Sequence, residues 1–217
     1  MTETAATLET PAAERADNAK LRQILDGARK VFLADGFDGA SMNDVARAAG
    51  VSKGTLYVYF DSKEALFEAL VRSEKQAQAE RHTYFDDPDS DVAANLRRVG
   101  LSLCDMLARP DSVAIARMVI GVAGKFPRIG RAFYEAGPQF GKERLAAYLV
   151  GQVAAGKLRL DDPQQAASNF LQLAHSEIIK ARLFGMNDEI SAADIERSVE
   201  NAVDVFMRAY GAARQGA

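Results

Sequence analysis

The segment from Ser41 to Tyr59, SMNDVARAAGVSKGTLYVY, constrains the fold most, because it spells two short helices meeting at a glycine turn. Ser41 stands where its hydroxyl accepts from the backbone N–H of Asp44, opening a helix that turns Val45, Ala46 and Ala49 to one side. Gly50 ends that helix, since glycine enters the left-handed conformation cheaply, and Val51 packs back into the corner. Ser52 caps a second helix in which Leu56 and Phe60 lie one turn apart and face inward. Its other side presents Gly54, Thr55 and Val58, with Lys53, Tyr57 and Tyr59 at the margins. In a helix-turn-helix that outward side meets a DNA major groove.

The flanking residues extend the pattern. Leu21, Ile24, Leu25, Ala28, Val31 and Phe32 fall at helical spacing and predict a longer amphipathic helix ending at Asp35-Gly36-Phe37. After the motif comes FDSKEALFEAL, where Asp61 with Glu64 predicts a capping box. The run from ILDGARKVFLADGF through GASMNDVARAAGVSKGTLYVYFDSKEALFEAL resembles the DNA-binding domain of the TetR/AcrR family of bacterial transcriptional regulators, over roughly residues 20 to 70. Glycine turns, caps, core positions and the TLYVYF aromatic cluster all occur in register. KFPRIGRAFYEAGP is similar to the ligand domain of efflux-type repressors. The resemblance implies an all-α protein, with a three-helix helix-turn-helix domain followed by a larger helical effector-binding and dimerisation domain. It also implies that Lys53, Gly54, Thr55, Tyr57 and Tyr59 lie at the DNA and Lys63 on its backbone.

Physical chemistry supports several of these positions independently. Lys53 and Lys63 each lie in the first turn of a helix, where the macrodipole disfavours a cation unless an anion sits outside. DNA phosphate is such an anion. Gly54 permits close approach, Thr55 can donate or accept, and the Tyr57 and Tyr59 hydroxyls suit phosphate oxygens. Ser41, Asn43 and Ser52 stand at helix starts within reach of phosphate or a base, although capping alone explains Ser41, and packing would equally explain Tyr59. The recognition helix has no arginine or glutamine, which leaves Lys53 as the best base-reading candidate and the operator sequence undetermined.

The 217 residues suffice for a small DNA-binding domain and a larger helical one, expected at residues 18–62 and 63–217. Residues 1–17, acidic early and lacking a basic-then-apolar order, are expected as a disordered leader and not a signal peptide. Net charge is −3, whereas a non-specific architectural DNA binder would predict a strongly basic chain, and Asn18 to Phe60 carries six bases against four acids. A single cysteine, Cys104, precludes an internal disulfide and fits a reducing cytoplasm. No metal or other cofactor is expected: His82, His175 and Cys104 have no metal-ligand spacing. An enzyme with an incidental helix-turn-helix would need a catalytic constellation that the sequence does not display.

Helical periodicity continues to the end of the chain. Helices are expected from about Ser62 to His82, Asp89 to Ala108, Asp111 to Ala123, Pro127 to Ala136, Pro138 to Ala155, Pro163 to Phe184 capped by Asp162, and Ala192 to Tyr210 capped by Ser191. The last two carry unusually wide apolar stripes. Leu171, Ala174 and Ile178, with Val199, Val203 and Phe206, are expected either in the protomer's core or, the preferred reading, in a four-helix homodimer interface. Leu103, Cys104, Leu107, Met118, Val122, Phe126, Phe133, Phe140 and Phe170 are expected either as core or as the lining of an effector pocket. Arg117, Gln172 or His175 would fix the effector's polar end. The function expected is a homodimeric regulator of operator DNA, a repressor released by a small hydrophobic or amphipathic effector, with activation as the alternative.

Overall fold

A computed structural model describes residues 12–80, 91–186 and 190–212. Helices α1 (Ala12–Gly39), α2 (Met42–Ala49), α3 (Lys53–Tyr59) and α4 (Lys63–Glu80) come first. They are followed by α5 (Val92–Ala108), α6 (Pro110–Ala123), α7 (Pro127–Tyr134), α8 (Phe140–Ala154), α9 (Pro163–Leu183) and α10 (Ala192–Tyr210). The expected all-α class holds. Among the described residues, the only extended pairing is an isolated antiparallel bridge between Leu158 and Gly211. The chain divides into two compact units between Leu70 and Val71, within α4 and eight residues beyond the expected boundary.

In the first unit, Ile24, Ala28, Phe32, Val45, Leu56, Leu66 and Phe67 are fully buried. The Phe32 ring lies 4.8 Å from Phe67, and Phe37 lies 5.2 Å from Phe67, so one aromatic cluster joins α1 to α4. Gly27 is required by close approach: a Cβ there would lie 2.6 Å from the Cβ of Ala49. Helix α1 breaks at Gly36 (φ 71°), close to the expected end, but a further turn carries it to Gly39. Its start, at Ala12, lies inside the segment expected as a disordered leader.

The second unit is centred on α5, α9 and α10, with α8 packed on α9. Leu96, Cys104, Leu145, Leu149, Phe170, Val199 and Phe206 form its interior. Phe170 and Phe206 meet edge to face at 5.8 Å, and Gly100 lets α5 approach Val199 closely. The α9 and α10 caps are as expected: Asp162 accepts from Gln165 N–H at 2.9 Å, and Ser191 forms a reciprocal capping box with Asp194.

Two boundaries differ from expectation. Asp61 does not cap α4, because the Ser62 hydroxyl accepts from the N–H of Ala65 at 3.1 Å. Pro138 does not open a new helix either. Residues Glu135–Gln139 form a π-helical turn joining α7 to α8, in which the Phe140 N–H reaches back five residues to the Glu135 carbonyl. A widened turn of this kind accommodates the missing N–H and the bulky ring of proline without breaking the rod. His82 and Asp89 lie outside the described residues.

Candidate nucleic-acid interface and effector domain

The helix-turn-helix forms as local chemistry dictates. Ser41 Oγ accepts from Asp44 N–H at 3.2 Å, opening α2. Gly50 adopts φ 66°, ψ 34°, and the Val51 N–H returns to the Ala46 carbonyl at 3.0 Å, closing it. The Gln23 amide braces the corner by donating to the Ala49 carbonyl at 2.6 Å. Ser52 Oγ accepts from Thr55 N–H at 2.9 Å and lies 2.8 Å from the Thr55 hydroxyl, so both hydroxyls serve the α3 cap.

Helix α3 is sharply two-sided. Leu56 is completely buried, whereas Tyr57 is 43% and Val58 83% exposed. Lys53 and Gly54 are exposed as well, and a Cβ at Gly54 would find nothing nearer than Ser52 Oγ at 3.7 Å. The Lys53 ammonium lies 6.0 Å from the Tyr57 ring centroid, which places a cation and an aromatic side by side on the outer face. Asn43 is exposed in the first turn of α2. The Tyr59 hydroxyl donates to the carboxylate of Asp17 on α1, a contact that pattern reading missed because 42 residues separate the two. This bond, followed by the small desolvation and the charge of Asp17, holds the Tyr59 phenol above its ordinary pKa.

Lys63 has a different partner from the one expected. Its ammonium donates to the carbonyls of Phe37 at 2.7 Å, Ala40 at 3.1 Å and Asp38 at 3.3 Å, and lies 4.6 Å from the Phe37 ring centroid. A cation at a helix start does need a negative partner. Here the carbonyl end of α1 supplies it, and no phosphate is required.

In the second unit the expected pocket residues separate into distinct groups. Cys104 and Phe170 are fully buried in the core and Val122 nearly so. The Cys104 thiol donates to the Ala174 carbonyl at 3.3 Å, and burial, helped by Asp105, pushes its pKa up to about 12, so it is inert. Arg117 is taken up by the end of α9, donating from Nε to Leu183 O at 3.0 Å and from Nη2 to Arg182 O at 2.8 Å. Gln172 is exposed, and Phe140 is 38% exposed. Leu103, Leu107, Met118, Phe126, Phe133 and His175 are half-buried. His175 Nδ1 is buried without a hydrogen-bond partner, and burial lowers the imidazole pKa.

The expected interface residues are corrected more firmly. Ala174 and Val199 are fully buried within a single chain, Phe206 and Ile178 nearly so, and Val203 is buried with them. They form the protomer's own core, with Leu171 packed against its edge. The stripes are wide because α9 packs on α5, α6, α8 and α10, and α10 on α5 and α9, which leaves Ala174, Ile178, Val199, Val203 and Phe206 little surface to offer a partner.

An N-terminal helix-turn-helix with an outward cation and aromatic, followed by a larger helical unit, defines a DNA-binding transcriptional regulator. Comparison with known proteins agrees. Residues 24–70 match the model of bacterial regulatory proteins of the tetR family, and residues 94–212 match the C-terminal domain of AefR-like transcriptional repressors. A helix-turn-helix-type transcriptional repressor of Mycobacterium tuberculosis, Rv1474c, is 30% identical over 188 residues, covering 85% of this chain and 93% of that one. A TetR-family regulator from Mesorhizobium loti superposes with a TM-score of 0.84 at 27% identity, covering 94% of this chain and all of the other. The flavonoid-responsive regulator FrrA superposes with a TM-score of 0.77 at 33% identity, covering 92% of this chain and all of FrrA. The chain belongs to the TetR family of bacterial transcriptional regulators, which are not enzymes.

Among the described residues, no helix is long and apolar enough to cross a membrane, and no cluster of His, Cys, Asp and Glu could hold a metal ion.

Proposed function

We propose that this chain is a homodimeric cytoplasmic repressor that leaves its operator when a small hydrophobic or amphipathic molecule binds the second unit. The observation that carries the DNA half of this reading is the two-sidedness of α3, with Leu56 buried and Lys53, Gly54, Tyr57 and Val58 turned outward. Lys53 is the candidate base reader, and Val58 offers an apolar contact of the kind that a thymine methyl accepts. Asn43, Ser41, Ser52, Thr55, Tyr57 and Tyr59 are the candidate positioning contacts. Two such helices on a dimer would occupy half-sites about one helical turn, ~34 Å, apart.

For the effector half, the half-buried Leu103, Leu107, Met118, Phe126 and Phe133 supply apolar area, and the orphaned His175 Nδ1 supplies a polar group in search of a partner. Kinship with a regulator named for its response to flavonoids, planar aromatics with polar edges, supports the same chemistry. For the dimer, the outward apolar residues Leu173 on α9 and Val205 on α10 replace the buried set as candidate contacts.

Footprinting on the DNA flanking the protein's own coding region tests the first half. A protected site with two half-sites is expected, and the absence of any protected sequence contradicts the proposal. Effector screening begins with flavonoids. A compound at ~100 times its Kd should stabilise the fold by ~2.7 kcal/mol and release the operator together, since equal affinity for both states shifts nothing.

A further inference from the structure

We propose that Asp17 limits operator affinity by holding the single hydroxyl proton of Tyr59, so that DNA phosphate and the Asp17 carboxylate compete for one donor. This rests on the DNA reading of α3 given above. Tyr59 closes the recognition helix, and its hydroxyl points to the N-terminal part of α1, where it donates to the Asp17 carboxylate. A phenol has one proton to give, and an ionised phosphate oxygen can only accept. Tyr59 therefore cannot donate to Asp17 and to a phosphate at once. Asp17 is exposed, so nothing buries the carboxylate away from the approaching backbone.

Two consequences separate competition for the proton from the mere presence of a charge. Removing the carboxylate frees the hydroxyl, and the gain in affinity then depends on the hydroxyl being there. In the native chain, by contrast, the hydroxyl contributes little, because binding DNA exchanges one hydrogen bond for another. Asp17→Ala should thus tighten operator binding by at least about tenfold, since one charge-assisted hydrogen bond is regained in each protomer.

A double-mutant cycle on the full-length protein, measured by fluorescence anisotropy with its footprinted operator, tests this. The Asp17→Ala gain should disappear in the Tyr59→Phe background. A gain of the same size with or without the hydroxyl would mean that Asp17 acts only as a through-space charge, and no gain at all would mean that it does not act; either overturns the proposal. Spectrophotometric titration of the tyrosines without DNA checks the contact itself. Asp17→Ala should remove the high-pH displacement of one tyrosine, and an unaltered titration overturns the proposal. A wild-type chain that selects no operator overturns both readings, whereas an operator bound equally by wild type and Asp17→Ala overturns only this one.

Discussion

Lys63 donates to the Phe37 carbonyl at 2.7 Å while its ammonium lies 4.6 Å from the Phe37 ring, so one residue of α1 satisfies the cation of α4 twice. This fixes the start of α4 against the end of α1, within the unit that carries the recognition helix. Lys63→Met should remove these bonds, at a cost of about 1–3 kcal/mol in unfolding free energy. Chemical denaturation should show that loss, while the salt slope of operator binding stays unchanged. A slope lowered by about one unit would restore Lys63 to the phosphate contacts.

Lys53 and Tyr57 present the opposite case, exposed side chains with little to do for the fold. Lys53→Ala and Tyr57→Ala should each weaken operator binding about tenfold or more, with thermal unfolding almost unmoved. Anisotropy titrations against operator and scrambled DNA will separate loss of specificity from loss of general affinity. Wild-type operator affinity in both variants would remove α3 as the reading element.

The burial pattern of α9 and α10 predicts two phenotypes from one kind of substitution. Phe206→Glu places a carboxylate in the protomer core and should give misfolded or insoluble chains. Leu173→Glu and Val205→Glu should fold normally and sediment as monomers that hold a single half-site weakly. Sedimentation velocity at micromolar concentration decides. A wild-type monomer, or dimers undisturbed by both surface variants, would contradict the proposed arrangement.

Lys75 predicts a pH dependence whose sign is unambiguous. It is nearly buried, its ammonium 4.4 Å from the Phe133 ring centroid, and desolvation, partly offset by Glu74, lowers its pKa to about 8 from an ordinary 10.5. Below pH 8 both folded and unfolded chains carry the proton, and the folded state bears the full cost of burying the charge. Between about 8 and 10.5 the folded state releases a proton that the unfolded state keeps, so this residue's contribution should rise with pH across that window. Subtracting the urea-derived stability profile of Lys75→Met from that of wild type isolates the effect. A flat difference between pH 8 and 10 would show that Lys75 keeps its charge without penalty.

The sequence by itself determined whatever rests on interactions within a turn or two of helix. The Ser41, Ser52, Asp162 and Ser191 caps, the left-handed Gly50, and the inward Leu56 and Phe60 were all legible, because a cap bond spans three residues and a helical face repeats every three or four. Those local rules, together with a family-wide pattern in register, sufficed for the fold class and for the side of α3 turned outward. Only the tertiary structure decided which partner each of these groups meets. Lys63 needed a negative neighbour, and the chain supplied carbonyls 23 to 26 residues away. Tyr59 had a free hydroxyl, and Asp17 claimed it across 42 residues. The wide stripes of α9 and α10 signalled a demand for burial without saying whose surface would meet it, and packing against α5 and α8 met most of it inside one chain. Periodicity records how much apolar surface a helix must hide, whereas the occupant of that surface depends on where distant helices come to rest.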